Sequence, residues 1–425
     1  MAVIVSLSSF AFAQGVTSRP EEEIFNSPYL FGDWAGKRTE LAEEKGITFD
    51  FYLYTTLLAN PTGGKFTPAG YNRARGTMDI DLSKLTPTKG LRFHITGLWQ
   101  NGVNLRERLG TLAVPQADAS SPVFRLDSWW FEQDLLHNKV SLFIGQIAGM
   151  DFFGITLPPD TWNYTMDELL YGGNARPNAG STWDPATTPG VVVKTSLTRQ
   201  IYIQNMIQAG PGCLDPTKPC YRNQYVNDPE GTHFTLNGGG VWNSEAGFLI
   251  DPASGNDLKE KYYPGLYRVG ASYNGTKFLN PATNTYSPGN CTMYFMAKQA
   301  VWRPVKGSNS GLDLRFSAIL SPADVNMLDK EFIAAASLHG MISKRPKDAI
   351  DLGFNEYLIS DSYNRHYAAS GMPVLTSEKA YELNYSMQVT PWLQLLPAVE
   401  VFQDMGGNPK KGTGVFAGIS TKVTF

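Results

Sequence analysis

Long apolar runs are missing from this chain. No stretch approaches the roughly 18 consecutive apolar residues that a membrane-crossing helix requires, so a helical membrane bundle is excluded. Charge of one sign is missing too: 36 Lys and Arg stand against 39 Asp and Glu, and only 18% of residues are charged. Nucleic-acid recognition needs clustered basic surface, so no such partner is expected. Cysteine is scarce, three in 425 residues, which excludes a disulfide-built scaffold. Cys213 and Cys220 bracket a turn-rich Leu-Asp-Pro-Thr-Lys-Pro and could bond in an oxidising compartment or remain two thiols; Cys291 is left over. The five histidines have no metal-ligand spacing, and neither a Gly-x-Ser-x-Gly elbow nor a Walker loop occurs. Asp79 and Asp81 could be imagined as a catalytic pair, but two carboxylates at i and i+2 are what any polar sheet face carries. The expectation is no metal, no cofactor and no reaction.

Aromatic residues and turn formers are what the chain has in quantity: 12% Phe, Trp and Tyr, with 41 Gly and 27 Pro. Many short strands joined by turns fit an all-β protein. The last eleven residues carry the pattern most clearly. Val415, Ala417, Ile419, Thr421, Val423 and Phe425 share one side of an extended strand, and Phe416, Gly418, Ser420, Lys422 and Thr424 share the other. An apolar face that runs to the carboxyl terminus must meet something apolar or close a sheet. The expected partner is a strand near residue 50, where Ile47, Phe49, Phe51 and Leu53 alternate with Thr48, Asp50, Tyr52 and Tyr54.

The alternation recurs along the chain. Arg73, Arg75, Thr77, Asp79 and Asp81 oppose Met78 and Ile80 in parity; Arg92, His94, Thr96 and Gln100 alternate with Phe93, Ile95 and Trp99. Ser128, Trp130 and Glu132 oppose Trp129 and Phe131, and Glu382, Asn384, Ser386 and Gln388 alternate with Tyr381, Leu383, Tyr385, Met387 and Val389. Alternation does not say which face is outside, and a soluble sandwich would show it equally well. Two features point to lipid: the terminal aromatic strand, and the apolar Met1 to Ala13 stretch, whose Ala11-Phe12-Ala13 resembles a signal-cleavage site. Long turns alternating with short ones, such as Thr390-Pro391, are the mark of an outer-membrane barrel. At about 10 residues per membrane strand plus loops, the region from Ile47 to Phe425 holds about 16 strands. The expected organisation is a signal remnant over 1–13, an amino-terminal segment over 14–46, and an antiparallel transmembrane β-barrel over 47–425.

The segment Gly32-Asp33-Trp34-Ala35-Gly36-Lys37-Arg38, followed by helix-forming Lys37 to Lys45 and a stop at Gly46, resembles the amino-terminal signature of the carbohydrate-selective porin (OprB) family. Ala35 stands where the family more often has Gly. Pro61-Thr62-Gly63-Gly64, the Arg-Leu-x-x-x-Trp-x-x-Gln pattern from Arg125 to Gln133, and Gln146 through Phe152 resemble further family stretches. Gln100 and Gln146 stand where relatives carry basic residues, which implies a less cationic constriction, although Arg106 comes close behind Gln100. The resemblance implies passive, carbohydrate-selective diffusion of small sugars, with a general diffusion porin as the alternative and a barrel enzyme as a more distant one.

The loop from Pro158 to Pro189 is too long for a hairpin turn, and its resemblance to porin loops implies that it narrows the lumen. It carries Trp162 and Trp183, which would either stack on sugar C–H faces or anchor the loop to the wall. The expected constriction residues are Arg73, Arg75, Arg92, Gln100, Arg106, Glu132 and Trp183. Expected partners are small sugars, outer-membrane lipid, the barrel-assembly machinery through the strand ending in Phe425, and a second copy of the chain.

Overall fold

The computed structural model describes residues 26–425 except 114, 116–121, 155–186, 211–227, 235, 237, 251–262 and 306–309. The leader over 1–13, Trp162, Trp183 and the Cys213–Cys220 pairing lie outside the described residues.

Among those residues sixteen strands close one antiparallel barrel. In chain order they are β1 (Ile47–Ala59), β2 (Ala69–Asp81), β3 (Leu91–Gly102), β4 (Val123–Leu135), β5 (Val140–Ile147), β6 (Thr188–Ser196), β7 (Ile201–Ala209) and β8 (Gly240–Ile250). The rest are β9 (Gly265–Asn280), β10 (Thr285–Trp302), β11 (Gly311–Leu320), β12 (Leu328–His339), β13 (Ala349–Ile359), β14 (Ser377–Thr390), β15 (Leu393–Gln403) and β16 (Gly414–Thr424). Each strand pairs with its neighbour in sequence, and β16 pairs with β1 from Tyr52↔Thr424 to Ala59↔Ala417. The expected closure against a strand near residue 50 is therefore the seam of the barrel.

The alternation sorts as expected, apolar outward and polar inward. On β14, Leu383 is 55% exposed while Glu382 is fully buried, with Asn384 and Ser386 nearly so. On β9, Val269 and Tyr273 face out while Arg268, Ser272 and Asn274 face in; on β11, Leu314 and Phe316 oppose Asp313, Arg315 and Ser317. A closed barrel satisfies every strand's backbone groups laterally, so an apolar outer band can meet hydrocarbon without an exposed edge.

The two ends differ. At one end β14 passes to β15 through Pro391 and Trp392 alone, and Leu197 to Gln200 join β6 to β7. The other end carries most of the long connections, two of which contain helices. The amino-terminal helix α1 (Lys37–Glu40) runs into one turn of π-helix through Lys45 and stops at Gly46, whose φ of 70° suits a residue without Cβ. Helix α2 (Leu105–Leu109) lies between β3 and β4, and helix α3 (Asp361–Ala369) between β13 and β14.

The signature segment fastens the seam. Arg38 is buried with its guanidinium 3.4 Å from the centre of the Tyr29 ring. It donates to the Phe425 carbonyl at 3.0 Å and also to the carbonyl of Phe49. The Phe425 ring packs between Phe31 and Phe51, at centroid distances of 5.3 and 5.1 Å. One signature cation thus bridges the ends of the first and last strands.

The interior is not uniformly polar. Toward the long-loop end, Leu105, Leu112 and Ala113 from the β3–β4 loop, Leu375 before β14 and Met405 after β15 form an apolar cluster inside the barrel. They pack on inward side chains of β10 to β16, among them Tyr294, Ile333, Tyr357, Phe402 and Phe416. Tyr363 and Tyr367 of α3 close over it with rings 4.9 Å apart; burial and the Tyr367 hydroxyl push the Tyr363 phenol up to about 12. A smaller cluster of Phe143, Ile147, Phe153, Val192 and Met206 lines the β5–β7 wall.

Candidate constriction of the channel

Register decides which expected side chains meet. Arg73 and Gln100 are directly opposed between β2 and β3, and Arg92 is opposed to Glu132 between β3 and β4. Gln100 is fully buried and accepts from the Tyr71 hydroxyl at 3.0 Å. Arg75 sits two residues from Arg73 and lies 3.5 Å from Asp127 and 3.7 Å from Asp151. Arg92 pairs with Glu132 at 3.2 Å and also with Asp134. The register sets Arg75 opposite Leu98, six residues along β3 from Arg92, or roughly 20 Å of strand at about 3.3 Å per residue.

The expected residues therefore occupy two levels. Arg73, Arg75 and Gln100 form the upper one, and Arg92 and Glu132 stand near the short-turn end. Arg106 belongs to neither. It lies on α2, close enough to attract the Glu378 carboxylate electrostatically. Between the levels the His94 ring stacks on Trp130 at 3.6 Å and 16°, fixed by Asp79 at 2.6 Å and the Thr96 hydroxyl at 2.9 Å. Asp50 and Asp79 are exposed inside the lower lumen, so that end of the passage is open.

The upper level gains two residues that parity assigns to the wrong face. Continuing the Trp129–Phe131 parity backward would send Arg125 and Asp127 to lipid. The β3–β4 register slips between Thr96 and Gly97, pairing Thr96 with Ser128 but Gly97 with Leu126. Asp127 is the extra residue of that bulge. A bulge inverts the parity beyond it, so Arg125, Asp127 and Ser128 are all buried inward. Arg125 lies 3.9 Å from Asp228 of the β7–β8 connection, and the Leu126 N–H donates to the Glu230 carbonyl at 3.0 Å. An odd residue count between two strand faces is the sequence signal, but the turn-free run from Phe124 to Gln133 gives no place to put it.

Across the lumen Glu245 of β8 collects donors. The hydroxyls of Tyr202 and Tyr294 donate to it at 2.7 Å each, Gln204 Nε2 at 3.0 Å and the Gly154 backbone N–H at 2.8 Å. Gly154 stands at the start of the long β5–β6 loop, so Glu245 anchors that loop's base to the far wall. Glu378 does the same for the other inward loop, accepting from the N–H groups of Leu112 (2.9 Å), Ala113 (2.7 Å) and Gly406 (2.5 Å). Neither glutamate was singled out from sequence. An inward Glu looks the same whether it faces solute or holds a loop.

A barrel of this strand number, with arginines and carboxylates at mid-height and loops folded inward, is a pore. Comparison with known proteins agrees. The description "Carbohydrate-selective porin, OprB family" matches residues 67–425. The chain belongs to this family. As an OprB-family porin it is an outer-membrane protein of Gram-negative bacteria, with the short-turn end periplasmic and the long loops outside. It is 24% identical to Porin B of Pseudomonas aeruginosa over 94% of this chain and 92% of that one. It is 22% identical to the putative porin QuiX of Acinetobacter baylyi over 93% of each. Its fold is like that of Pseudomonas putida OprB in the high-pH structure, with a TM-score of 0.82 at 19% identity, covering 94% of this chain and 99% of that one. Against the low-pH structure of the same porin the TM-score is 0.60. The sequence-level reading of an OprB-like, 16-stranded sugar porin agrees with these comparisons and with the barrel.

Proposed function

We propose that sugars are selected at the upper level, where Arg73 and Arg75 stand with Gln100, Arg125, Asp127 and Asp151 around the passage. The observation that carries this reading is the pairing of Arg75 with two carboxylates at 3.5 and 3.7 Å. Arg75 and Asp151 keep 19% and 18% of their side chains exposed beside buried Asp127, so a planar guanidinium donor and a carboxylate acceptor stand side by side where one hydroxyl can reach both. Several contacts of modest strength suit a channel, since a solute must leave as readily as it enters. Arg92, Glu132 and the His94–Trp130 stack form a second, lower contact on the way out. No reaction is assigned to any of these groups.

The β16 strand ending in Phe425 is the proposed recognition element for barrel assembly, and the outward apolar band the surface for lipid and any second copy. Planar-bilayer current through the purified porin, titrated with glucose and maltose, tests the selection. Block by sugar, weakened about tenfold or more by Arg75→Ala for the loss of one hydrogen bond to a charged group, is the expected result. Sugars that permeate no faster than other solutes of equal size would reduce the protein to a general diffusion porin.

A further inference from the structure

A second recess lies above the inner plug, at the extracellular mouth. It encloses about 730 Å³ between the β1–β2 loop, helix α2 and the β15–β16 loop, and opens to solvent. Its charged lining is of one sign: Lys65, Arg108 and Lys411, with no Asp or Glu among the lining residues. Among the described residues no carboxylate forms an ion pair with any of the three. The floor is apolar, from Leu109 and Met405, and Phe66 offers a ring that is 62% exposed.

The recess is built. Buried Asn60 pins the β1–β2 loop, its Nδ2 donating to the Lys65 carbonyl at 3.1 Å and its Oδ1 accepting from the Thr67 N–H at 2.7 Å. The Val415 N–H donates to the Thr62 hydroxyl at 3.1 Å, tying the same loop to β16. A Cβ on Gly63, whose φ is 88°, would come within 2.3 Å of the Gly414 Cα, so only glycine lets the loop lie this close. Lys411 spends two donors on the Leu109 and Gly110 carbonyls, at 3.3 and 3.2 Å, and keeps the third. Three cations held around one cavity repel one another unless an anion joins them.

The geometry points to this recess as a capture site for small anionic sugars, such as sugar acids or sugar phosphates. The cations take the carboxylate or phosphate, and Phe66, Leu109 and Met405 take the C–H face of the ring. Its volume lies within the roughly 300–1,000 Å³ of small-molecule sites. The inference rests on the channel reading for the passage of a captured sugar, but the site is separate from the constriction. The same cations could receive a phosphate from a lipopolysaccharide headgroup, and the test separates the two sources.

The test is current block by glucuronate against glucose, added to the loop side of a porin-bearing bilayer free of lipopolysaccharide. Glucuronate should block at a concentration about fivefold or more below glucose, on the order of 1 kcal/mol for exposed charge pairs. The preference should vanish in Lys65→Gln/Arg108→Gln and near 1 M salt, where the screening length falls to about 3 Å. Glucose uptake into liposomes should be the same in the variant and the parent, which separates loss of this site from failure of the channel reading. Equal block by the two sugars, or a glucuronate preference that survives the double substitution, overturns the proposal. So does a charge effect that appears only when lipopolysaccharide is present, which would assign the cations to lipid.

Discussion

The β2–β4 wall and the β12–β16 wall have the same strand alternation, and they enclose different interiors. On β2–β4 the inward side chains include Arg73, Arg125, Asp127, Glu132 and Gln100, buried charged or amide groups, with Arg75 keeping 19% of its side chain exposed. On β12–β16 the outer half presents Ile333, Tyr357, Ile359, Phe402 and Phe416, packed against loop residues Leu105, Leu112 and Met405. One wall is charged and polar; the other is the shell of a small hydrophobic core. On the proposed reading the passage runs beside the charged wall, and the plug sets its width as much as the charged side chains do.

The comparison breaks most readily at Glu378. Its carboxylate is the anchor of the plug, and Glu378→Ala would strand the Leu112, Ala113 and Gly406 N–H groups in a buried site. At about 1–3 kcal/mol for each buried donor left unmade, a loss on the order of 3–5 kcal/mol is expected, with wider and noisier single-channel current. The gel-mobility shift between folded and heat-unfolded barrel measures the first, and bilayer recording the second. Unchanged conductance would mean that the plug does not set the bore.

Next comes Leu105→Ala, which truncates a fully buried plug residue at an expected cost of about 2–4 kcal/mol. The same assay on Arg75→Ala should show a smaller loss, about 1–2 kcal/mol, with its main effect on sugar block. Equal destabilisation by the two substitutions would erase the distinction between a packed wall and a contact wall.

The seam supplies a third measure. Arg38→Ala removes donors to the Phe49 and Phe425 carbonyls and a stack on Tyr29, an expected loss of about 1–3 kcal/mol, with sugar block unchanged. Thermal conversion of the folded barrel reads it.

The smallest effect is expected at the β12–β13 turn, where burial raises the Asp348 carboxyl. Hydrogen bonds from Arg345, Tyr385 and the Gln388 N–H outweigh this and hold it below its usual 3.8. A depressed carboxylate contributes stability above about pH 4, and that contribution fades as pH falls through the lower folded value. Hydrogen exchange at the Gln388 amide, which donates to Asp348 at 3.0 Å, should quicken in acid relative to amides elsewhere on β14. The Asp348→Asn variant should show that protection already reduced at neutral pH.

Much of the barrel was legible because period two is a local property. Leu383 against Glu382, or Val269 against Arg268, needs only neighbours in sequence. The seam was legible from the apolar face of β16 reaching Phe425. The constriction was less so. Arg73 and Gln100 share a level because the β2–β3 register pairs them, and Arg92 leaves that level because six residues of strand intervene. Arg125 and Asp127 were hidden by a one-residue bulge, and the roles of Glu245 and Glu378 by loops that arrive from distant positions.

By itself the sequence determined which residues share a face within each unbroken strand, about how many strands fit, and which family the chain resembles, since each is written in short-range pattern or motif. Tertiary structure alone decided which inward residues face the passage and which face a folded-in loop. That choice depends on register, bulges and long-range packing, where the partner of a side chain can lie as far off in sequence as Leu112 does from Glu378.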